Sequence, residues 1–301
     1  MKHNQINLMK TTSIPTSIKR AAFLGAMLYA ASAVPQAQAS DSLKVFQVKS
    51  DSSNTSGAFL TIDSPFTNNK PGALLILTQY WAGVYNNHHV GVYYNTSSQK
   101  WQIINEDFAA IPTGARFNVR VAQATASQTF EFISTGLNSD FDFSVINRSG
   151  LNNNPNALLL ATHYINPNHI FATYLPKSIG VFYDAGGVDK WAVYNEDRSL
   201  ANATGFVLAD IDGEKHVSAQ TSASGTVSGD TFYISDSAAN GNPNAVIFVT
   251  HDYSPKDTYH NHPVGVYYTG FKWAIFNEDI TTFVTNETFN IEVFSSASPA
   301  P

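Results

Sequence analysis

The octapeptide Lys100-Trp101-Gln102-Ile103-Ile104-Asn105-Glu106-Asp107 returns as Lys190-Trp191-Ala192-Val193-Tyr194-Asn195-Glu196-Asp197 and again as Lys272-Trp273-Ala274-Ile275-Phe276-Asn277-Glu278-Asp279. Three of the four tryptophans stand at this one position. Upstream of each block lies a Gly-Val-aromatic-Tyr segment: Gly91-Val92-Tyr93-Tyr94, Gly180-Val181-Phe182-Tyr183 and Gly265-Val266-Tyr267-Tyr268. Further upstream comes an apolar run ending in threonine: Leu74 to Thr78, Leu158 to Thr162 and Val246 to Thr250. A turn precedes each run, Asn-Pro-Asn-Ala in the second and third copies and Asn69-Lys70-Pro71-Gly72-Ala73 in the first. A last strand follows at Phe117, Phe206 and Phe289.

The alanines that close these turns, Ala73, Ala157 and Ala245, are 84 and 88 positions apart. That period is the size of a small domain, not of a solenoid turn or a propeller blade. The expected organisation is residues 1–39 as a leader and 40–123, 124–214 and 215–301 as three repeat domains, joined by polar stretches near Ala122–Gln128 and Gly213–Gly229. Short runs of Val, Ile, Tyr and Phe bounded by Asn, Gly, Pro and Ser read as strands and turns. The run Leu74 to Leu77 is apolar at every position, as in a strand covered on both faces. The fold class is all-β: three tandem small β-sandwich or closed-barrel domains built from one repeat.

The first 39 residues have the form of a secretory leader. Lys2, Lys10, Lys19 and Arg20 precede an apolar run from Ala21 to Val34, and Ala37-Gln38-Ala39 offers a small-residue site for cleavage before Ser40. The protein is therefore expected to be secreted or periplasmic. No later run reaches the roughly 20 apolar residues a membrane helix requires, so the chain is not expected to span a membrane. Removing the leader leaves 13 basic against 23 acidic residues, a net charge of −10 that opposes nucleic acid and anionic membrane surfaces. Cysteine is absent, which excludes disulfides, a thiol nucleophile and thiolate metal sites.

Calling the threonine-ended run strand c, the Gly-Val-aromatic-Tyr segment d and the tryptophan block e, the simplest arrangement is a c-d-e meander, because sequential strands usually pair. Its polar rim collects the candidate ligand-binding residues: Gln79, Tyr80, His88, Asn105 and Asp107 in copy one, His163, Tyr164, Asn195 and Asp197 in copy two, and His251, Tyr253, His262, Asn277 and Asp279 in copy three. The Asn-Glu-Asp triplet has two readings. It is a ligand site, or it is a structural turn in which Asn105 and Asp107 bond backbone amides as the chain leaves strand e.

Histidines 163 and 251 match each other, but copy one carries Gln79 there, which disfavours a histidine-based metal site common to all copies. Calcium is the one cofactor that an oxygen-rich rim would accept; otherwise none is expected. The adjacent Glu and Asp point to opposite faces of a strand and cannot form a facing carboxylate pair, and no nucleophile, metalloprotease or phosphate-loop motif is present. The chain is thus read as a non-enzyme. Three copies of a weak site gain from avidity, and Asn, Asp, Tyr, Trp and His suit polyhydroxylated ligands. The expectation is a multivalent, lectin-like or adhesin-like protein recognising carbohydrate or a surface or matrix polymer. The alternative is a structural extracellular or biofilm-matrix protein, calcium-stabilised or not.

The combination Asn-Pro-Asn-Ala, Gly-Val-Tyr-Tyr and Lys-Trp-x-Ile-x-Asn-Glu-Asp resembles a tandem-repeat β domain of exported bacterial proteins described as a domain of unknown function. The resemblance covers essentially the whole mature chain, best in copies one and three. Copy two departs at Phe206-Val207-Leu208 and in its longer c–d loop. It implies export and repetition, and no functional residue is carried over from it.

Overall fold

A computed structural model describes residues 43–123, 128–169, 171–201 and 203–299, so the leader expected at 1–39 lies outside the described residues. Each repeat forms seven strands. Copy one has β1 (Lys44–Lys49), β2 (Thr55–Ser56), β3 (Phe59–Thr61), β4 (Ala73–Tyr80), β5 (Val90–Asn95), β6 (Lys100–Asn105) and β7 (Arg116–Gln123). Copy two has β8 (Thr129–Ile133), β9 (Ser139–Asp140), β10 (Phe143–Val145), β11 (Leu159–Tyr164), β12 (Ile179–Asp184), β13 (Lys190–Asn195) and β14 (Gly205–Asp210). Copy three has β15 (Val217–Thr221), β16 (Val227–Ser228), β17 (Thr231–Tyr233), β18 (Val246–Asp252), β19 (Val264–Tyr268), β20 (Trp273–Asn277) and β21 (Thr288–Phe294). Strand β15 falls inside the polar stretch expected to be a linker; its half-buried residues suit an edge strand.

The copies are interlocked through their sheets. The three seven-stranded sheets run β1-β7-β4-β19-β20-β17-β16, β2-β3-β6-β5-β11-β14-β8 and β15-β21-β18-β12-β13-β10-β9. Each combines a three-stranded half from one copy with a four-stranded half from another: copy one with three, two with one, three with two. The joints are short parallel pairings, Gln79 and Tyr80 beside Gly265 and Val266, His163 and Tyr164 beside Gly91 and Val92, and His251 and Asp252 beside Gly180 and Val181.

Two expectations are corrected here. Strands d and e pair as antiparallel hairpins, but strand c never pairs with its own d. The c–d loop, nine or more residues long, carries the chain from one sheet into the next. Within its sheet strand c is flanked by the last strand of its own copy and by d of another. Its faces are covered by packing between sheets: in copy three Ile247 and Val249 lie in one core with Trp273 and Ile291, Val246 and Phe248 in another with Leu74, Ile76 and Leu160. The barrel alternative also fails, since all three sheets are open. The β-sandwich holds: in copy two, Leu159, Phe206 and Leu208 from one sheet pack on Val181, Trp191 and Val193 from another.

The tryptophans are sealed in these cores and fasten the turn before strand c. Trp101 Nε1 donates to the Lys70 carbonyl at 3.0 Å, Trp191 to Asn154 at 2.8 Å and Trp273 to Asn242 at 2.8 Å. Burying an indole that also satisfies its N–H contributes on the order of 3 kcal/mol against truncation. This pairing explains why tryptophan and the Asn-Pro-Asn-Ala turn recur together.

Threonines at the ends of the three c strands close a cyclic chain of bonds between copies. Leu77 N donates to Thr162 Oγ1 at 2.9 Å, Ala161 N to Thr250 Oγ1 at 2.9 Å, and Val249 N to Thr78 Oγ1 at 3.1 Å. Each copy thus supplies an acceptor to one neighbour and a donor to the other, a pseudo-threefold closure. On the last strand of each copy, opposite Ile76, Leu160 and Phe248, the symmetry lapses: Arg120 Nε lies 2.9 Å from Glu292 Oε2, both sealed, where copy two has Ala209.

Candidate functional site: an axial mouth and three buried glutamates

The Asn-Glu-Asp triplet divides its labour, one residue to the turn, one to the junction between copies and one to the surface. Asn105, Asn195 and Asn277 are buried and donate Nδ2 to the carbonyls of Ala109, Ser199 and Thr281. One oxygen of each aspartate accepts a backbone N–H two residues on, at Ala109, Ser199 and Thr281. The residue after each triplet, Phe108, Arg198 or Ile280, takes a left-handed conformation with φ of 63°, 60° and 63°. That costs about 1 kcal/mol for a non-glycine residue and persists because the Asn and Asp side chains fix the turn around it.

The glutamates point the other way, into the junctions. Glu106 accepts from the Leu175 amide at 2.6 Å, Glu196 from the His260 amide at 2.8 Å, and Glu278 from the Asn86 amide at 3.1 Å, each time from another copy's c–d loop. A β-carbon added at Gly91, Gly180 or Gly265 would fall within 3 Å of Oε1 of Glu106, Glu196 or Glu278. The glycine that opens each d strand is therefore the space its copy's glutamate occupies.

Two of these glutamates also meet a histidine. His163 Nδ1 lies 2.8 Å from Glu106 and passes its Nε2 to Thr204 Oγ1 at 2.6 Å; His251 Nδ1 lies 2.7 Å from Glu196. Gln79 holds the corresponding place beside Glu278, but it bonds Asn86 Nδ2 and the His88 carbonyl instead. Among the described residues Glu278 has no cationic or imidazole partner, and burial pushes its carboxyl up to about 7.

The remaining aspartate oxygens face outward and meet a basic residue three positions before the d-strand glycine. His88 Nδ1 is 2.7 Å from Asp107, Lys177 Nζ is 3.6 Å from Asp197, and His262 Nδ1 is 2.7 Å from Asp279. Burial acts to raise each aspartate, but the Ala109 amide and His88, the Ser199 hydroxyl with its amide and Lys177, and the Thr281 hydroxyl and His262 outweigh it. All three carboxyls are held below the usual range. His88, Asp107, Lys177, Asp197 and Asp279, with Asn87, His89, Pro176, Asn261 and Pro263, surround a single depression of about 450 Å³.

A narrower pocket of about 110 Å³ shares His88, His89, Lys177 and Pro263 with it. That pocket is lined by Gln79, His163 and His251 and by the threonines of the cyclic chain. All three copies contribute equivalent residues at every level, so both spaces lie on the pseudo-threefold axis. His89 reaches across to Ser178 Oγ at 3.0 Å, and burial lowers its imidazole to about 4. Asparagine, imidazole, ammonium and carboxylate groups thus face one opening, able to donate and accept hydrogen bonds over the same small area.

Of the residues expected at the rim, His88, Asp107, Asp197 and Asp279 surround the mouth, Gln79, His163, His251 and His262 line the narrower pocket, and Asn105, Asn195 and Asn277 are enclosed in the turns. The tyrosines go elsewhere. Tyr80 packs on Trp273 at 5.4 Å between ring centroids, Tyr164 on Trp101 at 5.3 Å, and Tyr253 on Tyr194 and Tyr259 at 5.9 and 4.8 Å. Lys177, Ser178 and His89 were missed, and the three glutamates and the three threonines, though on the expected rim, were not singled out. The spacing to glycine, three residues from His88, Lys177 and His262 to Gly91, Gly180 and Gly265, would have found Lys177.

Asp210-Ile211-Asp212-Gly213-Glu214 forms a turn in which Asp210 accepts the Asp212 amide at 3.2 Å. Among the described residues no group of three or more His, Asp or Glu side chains is arranged to hold a metal ion, and no helix is long and apolar enough to cross a membrane.

No curated protein and no solved structure matches the chain. One family model matches it three times, over residues 33–121, 91–209 and 189–293. The second match runs from strand d of copy one to the last strand of copy two, so the matched unit crosses the junction at which β5 and β11 pair. The chain belongs to the family described as a domain of unknown function (DUF7452).

Proposed function

We propose that the protein is an exported, non-enzymatic binding protein that holds carbohydrate, or a polymer bearing it, at the axial mouth. The observation that carries this reading is the set of three aspartates, each anchored by its turn and a basic partner, facing one depression from equivalent positions. A sugar hydroxyl both donates and accepts, and an aspartate beside an imidazole or ammonium offers both halves of that exchange at fixed spacing. The sequence suggested three separate sites; the geometry favours one composite site per chain. Calcium would enter this reading only as a bridge between ligand hydroxyls and the aspartates.

The test is a glycan array and a calorimetric titration of the mature protein, with and without calcium, beside the triple variant D107N/D197N/D279N. Asparagine keeps the oxygen that accepts the turn amide, so the fold should hold while the anionic acceptors are lost. Expected is glycan binding to the parent protein, weakened at least about tenfold in the variant at unchanged melting temperature. Binding that survives the triple change removes the mouth from the site. Absence of any glycan binding favours a structural role in an extracellular matrix.

A further inference from the structure

Away from the axis, each c–d loop lays aromatic or aliphatic side chains on the outer face of a neighbouring d–e hairpin. The register of the strand beside that hairpin shows what fills the space. Phe59 stands opposite Ile104, Phe143 opposite Tyr194, and Thr231 opposite Phe276. At the first junction Phe59, Tyr93 and Tyr174 close over Ala58, Ile104 and Ile165. At another, Phe143 meets the Phe182 ring edge-on at 5.2 Å. Only at the junction of copies one and three is the phenylalanine replaced by a small hydroxyl residue.

There the structure has a pocket of about 230 Å³ lined by Trp81, Tyr85, Tyr267, Phe276, Asp230 and Thr231. Its rings stand at steep angles to one another: Trp81 to Tyr85 at 48°, Trp81 to Tyr267 at 80°, Tyr85 to Phe276 at 72° and Tyr267 to Phe276 at 88°, with centroids 5.5–5.9 Å apart. A sugar ring needs a flat aromatic platform with polar groups at its edge. Walls that meet at high angles instead wrap a compact, rounded group. The Thr231 hydroxyl is occupied by Tyr267 at 3.1 Å and Asp230 at 3.1 Å, leaving the Asp230 carboxylate as the charge at the wall. Burial and the nearby carboxylates of Asp230 and Glu278 raise the Tyr85 phenol, so negative potential reaches into the pocket.

We infer that this pocket is a second binding site, an aromatic cage for an alkylammonium group such as a trimethylammonium headgroup. The π-faces of Trp, Tyr and Phe attract a weakly hydrated cation, and a carboxylate beside them adds Coulomb attraction that a neutral ligand of the same shape would lack. The Asp-Thr pair at 230 and 231 is what opens the cage. The equivalent positions in copy two also carry an acid, Asp142, but the phenylalanine after it takes up the space.

Choline is titrated calorimetrically into the mature protein beside its neutral isostere 3,3-dimethyl-1-butanol. The variants are D230N, at a half-buried side chain, and T231F, which restores the phenylalanine of the other junctions. Expected is saturable choline binding at least about tenfold tighter than that of the isostere. Affinity should fall several-fold in D230N, and binding should disappear in T231F at an unchanged melting temperature. No saturable choline binding, equal binding of the isostere, or choline affinity unchanged in D230N overturns the proposal. These readouts involve no glycan and do not depend on the axial mouth.

Discussion

At two junctions between copies the buried glutamate meets a histidine, and at the third it meets no charged or imidazole partner among the described residues, because Gln79 stands where His163 and His251 stand in the other copies. The backbone cradle is the same at all three: an amide of another copy's loop and a glycine that makes room. The cradle is therefore what the fold needs, while the partner residue is free to vary. The same junction also departs at Thr231, where a phenylalanine fills the other two. Copies one and three meet at the point where the molecule has given up packing and pairing together, and both losses leave unused chemical capacity.

The shared cradle can be broken directly. In G180A the new β-carbon would collide with Glu196 and the Tyr194 ring, separating Glu196 from His251 and the His260 amide. A buried pair broken from one side costs about 3–5 kcal/mol, so urea denaturation should show the largest loss of this set. A change below about 1 kcal/mol would mean the glutamate is not sealed.

The unpaired glutamate gives a pH test. Its folded pKa, about 7, is raised above the ordinary 4.5, so the protonated form is favoured by folding. Its contribution to stability is fully present below pH 4.5 and is lost as pH rises through 7. E278Q mimics the protonated carboxyl and keeps an acceptor for the Asn86 amide. At pH 8 it should be more stable than the parent by about 2–3 kcal/mol, with the difference vanishing near pH 4.5. Glu292, also pushed up to about 7 by burial despite Arg120, contributes equally to both proteins and cancels in the difference. A difference independent of pH would contradict the assignment.

The threonine ring is the element all three copies keep. T162V preserves shape but strands the buried Leu77 amide, and should cost about 1–2 kcal/mol by thermal denaturation at neutral pH. At the mouth the copies differ again, with Lys177 against His88 and His262. The Lys177 pair is longer, at 3.6 Å, and partly exposed, so K177M should change stability by less than about 0.5 kcal/mol. A larger loss would make that pair structural.

Much of this was legible in the sequence, because a threefold repeat reports each strand three times. Residues that serve the core of their own copy, such as Trp101 or Val181, carry their own pattern of spacing and alternation. The exchange of strand c between copies carries no such mark: its apolar run reads the same whichever neighbour covers it, and the rule that sequential strands pair pointed to the wrong one. The turn-forming role of Asn105 and Asp107 was visible as one of two readings. Glu106 was hidden between them, since a buried carboxylate has the same letter as a solvated one; only Gly91, unexplained as an opening residue of a strand, signalled that something lies against it. The substitution of Thr231 for Phe59 and Phe143 was in plain sight, but its meaning depends on which strand it faces.

The central claim is that three repeats close into one body through shared sheets and a ring of threonines. Native-state hydrogen exchange tests it most directly. The amides of Leu77, Ala161 and Val249 in the ring, and of Trp81, Ile165 and Tyr253 at the parallel joints, all donate bonds between copies. They should exchange only through one global unfolding event, with a common free energy equal to that from denaturation. Early exchange at these six amides, or three separate unfolding transitions, would show three independent domains instead.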